Sequence, residues 1–118
     1  MMDDSKYMEL AIEEAKKAYD LDEVPIGAVV VLDGEVVGRG HNEKETRQDA
    51  TAHAEILALR QAMEKLGAWR LTGAVLYVTI EPCVMCVGAL IQSRLARIVF
   101  GARDSKFGGV VSLHHLAD

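Results

Sequence analysis

Two short stretches of this chain hold side chains able to do chemistry. Thr51-Ala52-His53-Ala54-Glu55 sets a histidine two residues before a carboxylate, and Glu81-Pro82-Cys83-Val84-Met85-Cys86 sets two thiols three apart. His53, Cys83 and Cys86 are nitrogen and sulfur donors, the kind zinc prefers, and zinc at a catalytic site keeps a fourth position for water. Two thiolates and a neutral histidine would leave a zinc site without net charge, and zinc still acidifies its water toward about pH 7. Glu55 would then be an acid that need not bind the metal. Glu55 and His53 are an awkward pair on one regular helix, because residues two apart point away from each other. The difficulty disappears if both lie in the first turn and the ion sits beyond the helix N-terminus. Two helix N-termini converging on the site would favour its anionic groups.

Each piece has a plainer reading when taken alone. A C-x-x-C that follows a strand and opens a helix is also the thioredoxin-type redox pair. A lone histidine is often a satisfied core residue, and a glutamate at a helix start suits the helix dipole. A structural zinc module would need a fourth protein ligand, for which His41, His114 and His115 are the spare candidates. A redox protein would instead join Cys83 to Cys86 in a disulfide.

The elements that must position these residues follow from periodicity. At 118 residues the chain has the length of a single domain, 1–118. Asp4 or Ser5 caps a helix to about Tyr19, with Met8, Ala11, Ile12, Ala15 and Ala18 as its apolar stripe. Ile26 to Leu32 is a strand buried on both faces, and Asp33-Gly34 turns it into a return strand, Glu35 to Gly40. His41 to Ala50 is a polar loop long enough to be suspected of function. Thr51 caps a helix from Ala52 to about Leu66, ended by Gly67. Val75 to Ile80 is a strand, Cys83 to about Ser93 a mostly apolar and hence buried helix, and Arg97 to Ala102 a strand. A short helix is expected at 112–116. The order α-β-β-α-β-α-β implies a mixed central sheet with helices on both faces, an α/β fold of three layers.

Bulk properties exclude some classes. No apolar run approaches a membrane span, and the start Met1-Met2-Asp3-Asp4 is not a secretory signal, so the cytoplasm is the expected compartment. The net charge of −5 argues against a generally basic surface. Its distribution is uneven, however. Residues 1–23 carry eight acids and three bases, and residues 60–106 carry seven bases and three acids, so the basic half holds the C-x-x-C. Charge clustering of this kind is also what an ordinary solvated face looks like.

Taken together, H-x-E followed by P-C-x-x-C resembles the cytidine and nucleobase deaminase superfamily. The chain is more similar still to the bacterial tRNA adenosine deaminases. The likeness runs through Glu23-Val24-Pro25-Ile26-Gly27-Ala28-Val29, Asn42, the two stretches above, and Ser93-Arg94 with Val99-Phe100-Gly101-Ala102-Arg103-Asp104. The resemblance implies a cytidine-deaminase-like fold, Zn2+ on His53, Cys83 and Cys86, and Glu55 as the proton carrier. It implies that Asn42 contacts the base or ribose, that the Ala54 N–H lies beside the base, and that Val24, Pro25, Ile26 and Ile80 shape the pocket wall. Core packing is the other reading of those four wall residues. Arg103, Asp104 and Lys106 match a loop that meets flanking nucleotides, unless they are simply solvated.

The activity so implied is hydrolytic conversion of adenosine to inosine at the wobble position of a tRNA anticodon loop, by a homodimer. Another single-stranded nucleic acid would be the substrate of a truncated or engineered form. A free nucleobase or nucleoside deaminase acting on guanine or cytosine is the alternative enzyme, and a small closed pocket would mark it. Ala50 and Val87 depart from residues common in the family. The family normally continues with a fifth strand and a C-terminal helix beyond the point where this sequence stops, which leads us to expect a shortened C-terminus with an exposed strand edge.

Overall fold

The computed structural model describes residues 4–102. The 112–116 helix, Arg103, Asp104, Lys106, His114 and His115 therefore lie outside the described residues. Helix α1 (Asp4–Asp20) leads into β1 (Gly27–Leu32) and β2 (Glu35–His41). A short α2 (Lys44–Arg47) precedes α3 (Ala54–Leu66), β3 (Val75–Ile80), α4 (Val84–Gln92) and β4 (Arg97–Ala102). The four strands form one sheet in the order β2-β1-β3-β4. β1 is antiparallel to both neighbours, and β3 runs parallel to β4 with α4 as the crossover.

Strand side chains alternate between faces, and each face has its own core. Val29, Val31, Val75 and Tyr77 pack with Tyr7 and Ala11 of α1. Ala28, Val30, Leu76 and Val78 pack with Ala54, Ala58, Leu59 and Ala62 of α3 and Leu90 of α4. β1 is thus buried on both sides, as its unbroken apolar run predicts. Asp33 and Gly34 both take positive φ (50° and 78°), the conformation of a two-residue hairpin turn that matches strand twist. Close contacts set the spacing of the layers. A Cβ on Gly27 would lie 2.0 Å from the Ala11 carbonyl oxygen, and one on Gly38 would lie 2.2 Å from that of Ala58. Only glycine lets these helix backbones approach so near.

Several expectations need correction. The stripe of α1 is rotated from the sequence reading: Ile12 is exposed while Tyr7 and Glu14 are buried. Glu14 can be buried because three donors meet its carboxylate, namely Lys17 Nζ at 2.8 Å, Arg39 Nε at 2.7 Å and His41 Nδ1 at 3.0 Å. The 41–50 loop contains the single turn α2, so the element order gains a helix. Thr51 does not cap α3; its hydroxyl donates to the Asp49 carboxylate, and His53 is the N-cap residue. Helix α4 is not wholly buried: Cys86, Val87 and Leu90 face inward, while Val84, Met85 and Ile91 are exposed.

The topology gathers the candidate residues at one end of the sheet. β2 and β3 are both antiparallel to β1, so they point the same way. Their C-terminal ends, carrying Asn42 and Ile80, lie beside the N-terminal end of β1, where Gly27 pairs with His41 and Ala28 with Val78. Helices α3 and α4 begin at that same end.

Candidate metal centre

Two loop-to-helix junctions build the centre in the same way. His53 precedes α3 with φ −78° and ψ 152°, and Cys83 precedes α4 with φ −75° and ψ 174°. Both are extended N-cap residues, and neither side chain caps its helix. Imidazole and thiol are poor caps, so they are left to turn toward each other. Cys83 is therefore not the helical residue that the C-x-x-C spacing suggested; Cys86 alone lies on the first turn of α4. Glu55 stands on the first turn of α3, the arrangement that lets a His and a Glu two apart serve one site.

His53 Nδ1 lies 3.7 Å from Cys83 Sγ and 3.6 Å from Cys86 Sγ. All three donor atoms fall within 4.8 Å of one another. A tetrahedral ion with bonds of about 2.3 Å to sulfur and about 2.0 Å to nitrogen holds those two atoms about 3.5 Å apart. The donor set and its spacing therefore fit zinc. The geometry also shows that Nδ1 is the ring nitrogen facing the two sulfurs, which spacing in the sequence does not reveal.

The electrostatics of the cluster are those of groups competing for protons. The hydrogen bond from Cys86, together with His53, draws Cys83 down to about 4. Cys86, beside that sulfur and buried near Glu55, is pushed far up. The bond to Cys83 raises His53 despite its burial. Burial lifts Glu55 to about 7, partly opposed by hydrogen bonds from its own backbone N–H and from Cys86. Glu55 is thus buried close enough to His53, Cys83 and Cys86 to feel their charges while standing outside the three-donor cluster.

The remaining candidates divide clearly. Asn42 and Ala54 are buried at the site end, 5% and 0% exposed. Val24 is 59% exposed and Pro25 is exposed as well, so neither is core. Ile26 is partly buried against the α3 core, and Ile80 is half-buried.

The family model for MafB19-like deaminases matches residues 2–117. A tRNA-specific adenosine deaminase of Bacillus subtilis is 56% identical over 92% of this chain and 67% of its own length. That of Aquifex aeolicus is 46% identical over 95% of this chain and 74% of its own. The chain belongs to the tRNA-specific adenosine deaminase family. Membership makes it a deaminase, and so a hydrolase. A solved structure from work on A-to-I editing by tRNA:A34 deaminases superposes with a TM-score of 0.92 at 50% identity, covering 97% of this chain and 83% of that one. Guanine deaminase from Bacillus subtilis gives 0.84 at 34%, covering 91% and 72%. Both bear out the cytidine-deaminase-like fold.

Buried carboxylates at or near this end, Glu14 and Glu23 among them, were given no role by the sequence reading. Glu14 braces Arg39 and His41 on the strand that leads to Asn42. Glu23, 5% exposed, accepts hydrogen bonds from the Glu45 and Thr46 backbone N–H groups and from the Thr46 hydroxyl. One signal was available for Glu23: a ten-residue polar loop must pair its backbone groups with something.

Proposed function

We propose that this protein converts adenosine to inosine at the wobble position of a tRNA anticodon loop, releasing ammonia. The observation that carries the reading is the His53–Cys83–Cys86 cluster with the buried Glu55 beside it, in a chain whose relatives are named for this reaction. His53 Nδ1 and the two sulfurs would hold the zinc. When bound, zinc supplies the Lewis acidity that makes a water molecule nucleophilic near neutral pH.

The chain's own residues do the rest. Glu55 takes a proton at its carboxylate and returns it to the amine leaving C6, so one group acts as base and then acid. Burial suits it to that work, since water does not compete for the proton. The first-turn N–H groups of α3 and α4 favour negative charge at the reacting end. Asn42 contacts the base or ribose, the Ala54 N–H lies beside the base, and Val24, Pro25, Ile26 and Ile80 form the wall. Arg103, Asp104 and Lys106 meet the flanking nucleotides. A looped substrate suits the site because a base stacked in a duplex cannot reach a buried centre.

The 1–118 chain acts as one domain and as a homodimer, for which the exposed apolar residues of α4, Val84, Met85 and Ile91, offer a contact face. It works in the cytoplasm, where tRNA is processed. Among the described residues no helix is long and apolar enough to cross a membrane.

The test is incubation with an anticodon stem-loop bearing adenosine at the wobble position, with free adenosine, guanine and cytosine alongside. Inosine in the stem-loop is the expected product. Turnover of guanine with none of the stem-loop would transfer the assignment to a free-base deaminase, the activity of the guanine deaminase neighbour.

A further inference from the structure

Glu23 sits where two walls of the site meet. Helix α1 ends in a tight turn: the Leu21 and Glu23 N–H groups both donate to the Ala18 carbonyl, and Asp22 takes φ 59°. That left-handed residue, in a conformation aspartate adopts more readily than most side chains, reverses the chain, and the Glu23 side chain that follows is buried. The next residues are Val24, Pro25 and Ile26. Across from them is α2, four residues long. One turn of helix cannot sustain itself, because nucleation costs more than a single hydrogen bond returns. Its own N-cap residue, Glu43, makes no side-chain cap. Glu23 supplies the cap from outside, 22 and 23 residues away in sequence, through Glu45 N–H, Thr46 N–H and Thr46 Oγ1. Burial pushes this carboxyl up, but the hydrogen bonds from Thr46 and Glu45 outweigh it and hold the group ionised, below the usual range.

Asn42 is bracketed by this tie. Its N–H donates to the Ile26 carbonyl at 3.1 Å, and its Oδ1 accepts from the Lys44 N–H at 3.4 Å. Just beyond, Glu43 N–H reaches back to the Ala52 carbonyl at 3.0 Å, next to His53. The loop is closed on itself, and its fixed point on the rest of the molecule is the Glu23 carboxylate together with the Ile26 carbonyl.

We propose that Glu23 is a positioning residue for substrate recognition, holding α2 and Asn42 at a set distance from the Val24–Ile26 wall. The inference rests on the functional reading above, in which Asn42 and that wall meet the target nucleoside. Glu23 touches no substrate itself; it acts through Asn42.

A four-member cycle tests it: wild type, Glu23→Ala, Asn42→Ala and the double variant, with kcat and KM measured on the anticodon stem-loop. Glu23→Ala should raise KM about tenfold with kcat within about twofold, and should cost nothing further once Asn42 is gone, since residues acting as a unit are not additive. Losses that multiply in the double variant would overturn the proposal. Thr46→Val, at an exposed position, removes one of the three ties and should reproduce part of the KM effect, with Thr46→Ser restoring it. Amide hydrogen exchange gives a readout independent of turnover. Exchange at 43–47 should quicken about tenfold in Glu23→Ala while β3 and α3 stay protected. Unchanged exchange there, or a loss of protection throughout, would equally overturn it. A wild-type protein that makes no inosine would count against the functional reading, and the exchange comparison would still decide the tie.

Discussion

At the scale of single residues, the proposed chemistry divides between three side chains that would hold a metal, His53, Cys83 and Cys86, and one that would move protons, Glu55. Glu55→Ala should keep fold and zinc and lose deamination by about 10²–10⁴-fold or more, because one group serves two proton transfers. Zinc content by elemental analysis together with single-turnover inosine formation checks this. A variant that also loses its zinc would make Glu55 a ligand. His53→Ala should behave in the opposite way, releasing zinc and lowering the melting temperature, because Cys83 and Cys86 alone leave the site short of a donor. The wild type should carry one zinc per chain. Protein that purifies without zinc, with Cys83 and Cys86 oxidised to a disulfide, would favour the redox reading of the C-x-x-C. That His53, Cys83 and Cys86 come together was legible in the sequence, because residue type and spacing suggest a shared ligand set. Glu23 and Glu14 were not legible. An acidic side chain within a mostly acidic first 23 residues looks like solvated charge until its partners, at 39, 41, 45 and 46, are brought to it by the fold.

At the scale of elements, the strands were read nearly to the residue, because their apolar runs are bounded by turns with strong local chemistry. Helix starts were read less well. Thr51 has the side chain of an N-cap, yet it is spent on Asp49, and the cap position falls to His53, whose side chain turns toward the two sulfurs instead of capping. Local capping preference is worth only about 1 kcal/mol, so tertiary contacts override it. The burial of α4 was overread for a related reason: an all-apolar sequence gives no periodicity, so nothing marks which face turns out. The close packing of helices on the sheet leads to a paired prediction. Gly27→Ala would drive a Cβ into the α1 backbone, 2.0 Å from Ala11 O and 2.3 Å from Ala15 N. Gly40→Ala would press on the first turns of α3, 2.7 Å from Ala54 O. Each should destabilise by about 1–3 kcal/mol or more, the cost of overpacking against rigid backbone. Gly40→Ala should also weaken zinc binding, because the turn it displaces follows His53. Denaturant unfolding and competition with a zinc chelator separate the two effects. Equal zinc affinity in both variants would show that α3 yields without moving its N-terminus.

At the scale of the whole molecule, α1 is fastened to the sheet at both ends by polar contacts that lie outside its apolar stripe. Near its start, Asp4 accepts from Tyr77 Oη at 2.6 Å and from Arg97 at 3.0 Å. Toward its end, Glu14 reaches Arg39 and His41 on β2. The two anchors span the sheet from β2 to β4, so they resist the sliding of a helix over a smooth apolar face. Glu14 makes this anchoring pH-dependent. Burial alone would raise its pKa, but hydrogen bonds from Lys17, His41 and Arg39 outweigh that and hold it below the ordinary 4.5. A carboxyl with a lowered folded-state pKa adds stability that is fully present above about pH 4.5 and fades as pH falls through the lowered value. Lys17 and Arg39 are partly exposed, and water screens their share, so Glu14→Gln should cost about 1 kcal/mol near neutral pH. Melting curves of wild type and Glu14→Gln, recorded with zinc present from pH 7 down to about pH 3, provide the comparison. Proton uptake by the metal ligands lowers both curves alike and cancels in the difference. The gap between the two should be present at neutral pH and close below pH 4.5. A gap that stays open in acid would mean that Glu14 stabilises by shape and packing, with its charge contributing nothing to the hold of α1 on β2.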